Sequence, residues 1–213
     1  MLALWWYRAD FRLPVLGDQT MNDRDTTARL ERYLEELRAL TGVDPLVREI
    51  VPPSDERGRV LAIIHSGYPE TGCLTGFTYG LSLAEHPEWA GVRRELTITV
   101  RSGDLDWLTV PARAVEAMRG ISAFNRGRVL GHVERFVGRS GMSSLLLADP
   151  LPDWGRHTLE IGLGRGSEDS DRVDLVGVFL LHASEREFAK KNGFEALWAL
   201  PWDRLDPMRP PIV

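Results

Sequence analysis

The first clear pattern of apolar and polar positions along the chain is helical. Between Asn22 and Thr41, apolar residues recur every three or four positions, and Arg and Glu fill the opposite side. The apolar positions are Leu30, Tyr33, Leu34, Leu37 and Leu40. This spacing places them along one side of a helix. Gly42 follows where a glycine commonly ends a helix, so we predict a helix over 22–41 that packs on a core.

Short apolar or alternating runs in the middle of the chain predict strands. Residues 95–101 alternate strictly between polar and apolar side chains, as in a strand with one buried face. Residues 60–64 form a continuous apolar run of buried-strand length. Further strands or extended segments are predicted over 46–51, 72–83, 129–136, 144–148, 158–163 and 173–181. Gly and Pro separate most of these runs.

Three more helical segments are predicted. The apolar positions between Asp106 and Met118 indicate a helix, with Pro111 either inside its first turn or separating two short pieces. The run Ser184-Glu185-Arg186-Glu187 matches a capping box, which predicts a helix that begins there and stops at 192–193. A shorter helix is predicted over 194–200.

The order of these elements indicates an α+β fold. Strands cluster in the middle of the chain and helices toward its ends, without the regular alternation of a parallel sheet. We predict an N-terminal aromatic arm plus helix over 1–45, packed on the same domain, and the main domain over 46–213. The proline-rich tail 207–213 is predicted to be irregular.

Composition and charge narrow the possible roles. The 213 residues are 43% hydrophobic and 27% charged, as in a globular protein that can bury a core. A formal net charge of -5 argues against a nucleic-acid binder. The single cysteine, Cys73, forms no internal disulfide, which favours the cytoplasm. The apolar run Met1–Tyr7 is too short for a membrane span or signal-peptide core, so we predict a packing arm and no membrane association.

Two segments resemble ligand-binding loops in composition, but the residues around them do not match such loops. The glycines of 162–166 are followed by the charged residues 167–171, whereas a phosphate site needs a helix to start there. The acidic residues of the same region lack the ligand order of a calcium loop; they are Glu168, Asp169, Asp171 and Asp174. We predict a solvated charged loop and no cofactor.

Two other combinations are weak candidates for catalysis. Cys73 with His65 or His86 could act as nucleophile and base, but nothing local supports the pair. His132 and Glu134 share a predicted strand face, yet a metal site needs three or four ligands. We predict no catalytic residue and no metal, and keep a metal-dependent or cysteine hydrolase as an alternative.

Tryptophan is abundant, with seven residues in the chain. Most are expected in the core, although tryptophan is also enriched at the centres of protein interfaces. Trp154 lies between Pro152 and Gly155 in a predicted loop, which makes it the candidate for an exposed contact with a partner.

From about Leu46 onward, the order of short motifs resembles the suppressor-of-fused domain family. The matching segments are Phe77–Ser82, Arg94–Ile98, Gly131-His132, Met142–Pro150, Val176–Val178 leading to Ser184–Glu187, and Asp206–Arg209. They occur in the family's order over about three-quarters of the chain. The resemblance implies an α/β sandwich on a mixed, largely antiparallel sheet, and a non-enzymatic role in binding another protein.

The resemblance also implies two kinds of partner. Animal members hold Gli-type transcription factors, and bacterial members look like immunity proteins that neutralise a toxin. Because no second C-terminal domain follows here, we expect the immunity or antitoxin role, with an acidic surface that suits a basic toxin. The interface is predicted on sheet-edge backbone or around Tyr79, Trp154, Asp206 and Arg209. A structural subunit that associates with its own copies through the aromatic arm is the other alternative.

Overall fold

The computed structural model describes residues 21–50, 59–131, 134–162 and 171–213, with side chains from residue 27 onward. Within these residues the helices are α1 (Met21–Thr41), α2 (Val110–Met118), α3 (Ala183–Asn192) and α4 (Phe194–Trp198). The strands are β1 (Leu46–Ile50), β2 (Val60–Ser66), β3 (Cys73–Tyr79), β4 (Arg93–Arg101), β5 (Val129–Gly131), β6 (Ser144–Ala148), β7 (Thr158–Glu160) and β8 (Arg172–Leu181).

The eight strands of the described residues join one sheet. Their order is β1-β2-β3-β4-β8-β6-β5, and β7 pairs with the first part of β8. Only β4 and β8 run parallel among these pairs; the other pairings are antiparallel. The predicted α+β class with a mixed, largely antiparallel sheet is confirmed.

One side of the sheet, here called the α1 face, packs against α1, α3 and α4. Tyr33 and Leu37 of α1 are fully buried against Ile63 and Phe77 of β2 and β3. Further along the sheet, Phe179 of β8 packs with buried residues of α3 and α4. The predicted apolar side of α1 is therefore the side that faces the core, and each large aliphatic side chain buried there contributes about 1.5–3 kcal/mol.

The other side, here called the α2 face, packs against α2. Successive residues of a strand point to opposite sides of the sheet. Leu96 of β4 and Val178 of β8 point to the α2 face, and the residues on either side of them along each strand point to the α1 face. Val115 of α2 is fully buried against this cluster. A 3₁₀ turn over Leu105–Thr109 precedes α2, and Pro111 lies in the first turn of the helix. The sheet is thus covered on both sides.

The capping box is displaced from its predicted position. Helix α3 begins at Ala183, and the residue before it, His182, donates its backbone N–H to Glu185 Oε2 at 2.9 Å. The predicted pair of Ser184 and Glu187 is wrong because Glu185 points into the core, whereas Glu187 is exposed and contacts neighbouring cations on the helix.

The C-terminal segment completes the middle of the sheet. The parallel pairing of β4 and β8 ends at Thr97 and Gly177. Beyond that point the C-terminal segment, residues 203–213, contacts both strands, and Arg209 donates to the Leu180 carbonyl of β8 at 3.2 Å. Arg101 of β4 donates its N–H to the Leu205 carbonyl at 2.7 Å. The irregular tail that the sequence predicts is confirmed, and its contacts make it part of the core.

One predicted strand is shorter than expected, and two predicted segments lie outside the described residues. Of the predicted strand over 129–136, the described residues show a strand at Val129–Gly131 and none at 134–136, and residues 132–133 lie outside the described ranges. The aromatic arm over 1–7 and most of the charged loop, residues 163–170, fall outside the described ranges.

Candidate protein-binding site

Strand β5 leaves one edge of the sheet open. The Arg128 carbonyl, just before the strand, accepts the N–H of Leu147 in β6 at 2.9 Å. In an antiparallel pair, backbone groups of alternate residues point toward and away from the partner strand. Val129 and Gly131 therefore direct their N–H and C=O groups away from β6. No backbone group of the described ranges pairs with them on that side.

Strand β1 forms the opposite edge and differs in its side chains. Arg48 and Glu49 lie on it, and they approach Asp106 at 3.8 Å and Arg59 at 3.2 Å. Charged side chains on an edge strand discourage pairing with another chain. Strand β5 consists of Val, Leu and Gly and has no such protection. The two edges are therefore unequal, and β5 is the better acceptor for an added strand.

A groove of about 260 Å³ runs beside β5 on the α2 face. Its apolar walls come from α2, β5, β6 and the segment after β5; they include Val110, Ala114, Met118, Leu130, Phe136 and Leu145. Arg113, Glu134 and Arg135 form its polar rim. A strand that pairs with β5 would point alternate side chains into this groove. Backbone pairing and a side-chain pocket thus occur together at one edge, which is the arrangement that β-strand addition uses.

Two of the residues predicted to bind a partner are buried. Tyr79 is 3% exposed; its ring packs on Tyr33 with 5.4 Å between centroids, and burial raises the pKa of its hydroxyl. Arg209 is 6% exposed and pairs with Glu185, which is fully buried. Little of either side chain is available to a partner in this conformation.

The other two predicted residues lie at the surface. Trp154, in the loop between β6 and β7, is half-buried; its indole N–H donates to the Tyr68 hydroxyl at 2.6 Å, and its ring packs on Phe77. Asp206 accepts the Met208 N–H at 2.8 Å in a turn of the C-terminal segment. The fold does not gather the four predicted residues around the β5 groove, and their role in binding stays a prediction.

Neither candidate pair of Cys73 and histidine forms a hydrogen bond between the two side chains: Nδ1 of His65 contacts the Thr41 hydroxyl, and Cys73 Sγ contacts Glu70. Cys73 is at the first position of β3, whereas His86 follows the far end of that strand, so roughly 20 Å of extended chain separates the two ends. Cys73 is buried, and burial raises the pKa of its thiol, which disfavours the nucleophilic thiolate. Glu134 is exposed, and His132 lies outside the described residues.

The acidic candidates that are described form ion pairs with arginine. Asp171 pairs with Arg29 at 2.7 Å, and Asp174 pairs with Arg126 at 2.6 Å. Within the described ranges, no group of three or more His, Cys, Asp or Glu side chains is arranged to hold a metal ion.

His65 is fully buried under α1, where its Nδ1 lies 2.9 Å from the Thr41 hydroxyl. Burial lowers its pKa from 6.5 to about 4. A neutral imidazole is therefore built into the packing of α1 on the sheet. The ring has a structural place there, and the sequence offered no sign of it.

We expect His65 to make the fold acid-sensitive. Because its folded pKa is depressed, its contribution of about 3 kcal/mol is complete above pH 6.5 and is lost as pH falls from 6.5 to about 4. Urea unfolding at several pH values should show this loss in the parent chain and a shallower fall in His65→Gln. Equal slopes for the two proteins would assign the acid sensitivity to other groups.

The described geometry defines an α/β sandwich with one unprotected sheet edge beside an apolar groove. The family model for the suppressor of fused protein matches residues 56–210, about three-quarters of the chain. The chain therefore belongs to the suppressor of fused protein family. A comparison with curated proteins gave no match.

Solved structures show the same fold at low sequence identity. A crystal structure of a suppressor of fused homolog from Neisseria gonorrhoeae is similar with a TM-score of 0.60 and 15% identity, covering 88% of this chain and 96% of that one. A crystal structure of a Sufu–Fu complex gives a TM-score of 0.56 and 12% identity, with coverage of 79% and 82%. Among the described helices, none is long and apolar enough to cross a membrane.

Proposed function

We propose that this protein binds an extended segment of another protein by adding it as a strand to β5. The observation that carries the proposal is the outward-facing backbone of Val129 and Gly131 next to the groove on the α2 face. Backbone hydrogen bonds would give affinity, and side chains that enter the groove would give selectivity. The occurrence of a similar fold in a Sufu–Fu complex supports a binding role for this family.

The proposal includes the class of partner and the absence of catalysis. An immunity-type role against a toxin-like protein is supported by the net charge of -5, which suits a basic partner, and by a similar fold in a bacterium. Binding is favoured over hydrolysis because the candidate nucleophile, Cys73, is buried and has a raised pKa. A free thiol is also consistent with the cytoplasm.

Blocking the β5 edge should abolish binding without unfolding the domain. Val129→Pro removes an N–H that points away from β6, so β5 keeps its pairing while the edge loses a donor. The partner would be captured from native lysate in near-equal amount with the tagged chain and identified by mass spectrometry. We expect its affinity, measured by biolayer interferometry, to fall at least about tenfold in this variant.

The matched control is Leu46→Pro at the opposite edge. Leu46 is the first residue of β1, is 49% exposed, and occupies a strand position that tolerates proline. Circular dichroism should show both variants folded. Unchanged partner affinity in Val129→Pro, together with a loss in Leu46→Pro, would move the interface to β1 and overturn the proposal.

A further inference from the structure

The surroundings of β5 are positively charged, although the whole chain is acidic. The groove is rimmed by two arginines, Arg113 and Arg135, and one glutamate, Glu134. Both arginines are exposed, and no ion pair joins either of them to another described residue. The chain as a whole carries a net charge of -5, which does not favour an acidic ligand. The β5 edge is a local exception.

A third arginine lies on the opposite side of the same strand. Arg186 of α3 extends over Gly131 on the α1 face, so close that a side chain at position 131 would collide with its guanidinium. Its Nε donates to Glu187 at 3.0 Å, and no described residue accepts a hydrogen bond from its Nη atoms. Glu187 also contacts Lys190 at 3.1 Å. The Nη atoms are therefore available donors beside the open edge.

Because a strand is pleated, an added strand would direct side chains both to Arg113 and Arg135 on the α2 face and to Arg186 on the α1 face. Successive residues of such a strand alternate between the two faces of the sheet. Residues on the α2 face would meet the groove and its rim at Arg113 and Arg135. Residues on the α1 face would meet Arg186, where Gly131 contributes no side chain of its own. Carboxylates suit both places, because guanidinium pairs with carboxylate through two hydrogen bonds.

We infer that the segment bound at β5 is acidic: an extended stretch of a partner protein with an aliphatic side chain in the groove and Asp or Glu toward Arg113, Arg135 and Arg186. This inference rests on the proposed strand addition and adds the chemistry of the ligand. The charge of the bound segment can differ from the net charge of the partner. A basic protein that presents an acidic extended segment satisfies both.

A phage-displayed library of random dodecapeptides, selected on the folded chain, tests this inference without knowledge of the partner. We expect enriched sequences to combine aliphatic residues with Asp or Glu at alternating positions. The best synthetic peptide should bind at least about tenfold more tightly than its version with Asn and Gln in place of Asp and Glu. Its affinity should also fall as salt is raised, because the pairs at the rim are solvent-exposed.

Charge-reversal variants locate the contact. Arg113→Glu/Arg135→Glu and, separately, Arg186→Glu should each weaken the acidic peptide at least about tenfold. Arg38→Glu/Arg59→Glu changes the net charge as much as the first double variant, and it alters exposed arginines near the other end of the sheet. That control should retain the affinity within about threefold.

The outcomes distinguish the inference from the proposal on which it rests. If the enriched peptides need the open edge, so that Val129→Pro loses them, but their amide versions bind equally well, the acidic ligand is wrong and strand addition at β5 stands. If Val129→Pro binds them as well as the parent chain does, strand addition at β5 is wrong. A selection without enrichment over empty beads also counts against the β5 edge.

Discussion

Replacing Glu95 by alanine is expected to destabilise the fold by at least about 4 kcal/mol, since each stranded buried donor costs about 1–3 kcal/mol. Glu95 of β4 is fully buried and accepts four hydrogen bonds. Its Oε1 accepts the N–H groups of Gly80 and Ser82 and the Ser82 hydroxyl at 2.7–2.9 Å, and its Oε2 accepts the Thr78 hydroxyl at 2.6 Å. Alanine would leave all four donors without their acceptor.

Glu95→Gln is the matched control for this prediction. The glutamine carbonyl can accept the three donors that now reach Oε1, and its amide N–H can donate to the Thr78 hydroxyl oxygen. We expect this variant to lose only about 1 kcal/mol. Urea unfolding at neutral pH measures both free energies. Equal losses in the two variants would mean that the charge of Glu95, and not its hydrogen bonds, stabilises the turn.

Glu95 also connects two of the sequence motifs that resemble the family. The segment Phe77–Ser82 and the segment Arg94–Ile98 resemble the family individually, and the structure joins them through this carboxylate. Gly80 is required at the turn because its φ is +133° and a Cβ would lie 2.6 Å from the Arg59 carbonyl oxygen. The two motifs therefore form one hydrogen-bonded unit in the core.

The sequence predicted the elements because their signals are local. The helix α1 and the alternating strand β4 are visible in the spacing of apolar residues within a short window. Strand order is different, since it depends on pairs far apart in the chain: β4 lies beside β8, about 80 residues later. No local pattern marks β5 as an edge, so the candidate site could be predicted only as some sheet edge.

Burial of charged residues is equally difficult to predict from a single sequence. An arginine in a proline-rich tail is ordinarily exposed, and Arg209 belongs to the Asp206–Arg209 segment that is predicted to bind a partner. Its burial depends on Glu185, which lies 24 positions earlier in the chain and points inward from the start of α3. The displaced capping box has the same cause. The signal that a sequence offers for such a pair is only that both residues belong to family-like motifs.

Replacing Arg209 by methionine is the second change with a large expected effect, about 3–5 kcal/mol of destabilisation at neutral pH. The Arg209 guanidinium pairs with Glu185 and also donates to the Leu180 carbonyl of β8 at 3.2 Å. Methionine fills similar volume and leaves the Glu185 carboxylate buried without its counter-ion. The remaining donors to that carboxylate are the N–H groups of His182 and Ile212.

A second substitution and a change of pH separate the buried charge from the lost packing. The N–H groups of His182 and Ile212 reach different oxygens of Glu185, so in Arg209→Met/Glu185→Gln the amide oxygen keeps only one of these two donors. No charge is stranded, however, so this double variant should be more stable than Arg209→Met alone. Burial by itself raises the pKa of Glu185, and hydrogen bonds from Arg209 and from those two N–H groups lower it overall.

Without Arg209 the strongest of the effects that lower the pKa of Glu185 is gone, so in the single variant we expect burial to raise this pKa above the ordinary value of a glutamate. The deficit of this variant against the parent chain should therefore shrink as pH falls from 7 toward 4, because protonation of the buried carboxylate favours the folded variant. The parent, in which the pKa of Glu185 is lowered, loses the contribution of Glu185 only at lower pH. Parallel urea titrations of the parent, the single and the double variant measure this. A deficit that stays constant with pH would assign the cost to the lost contacts of Arg209 with Leu180 and Trp202 instead of the uncompensated charge.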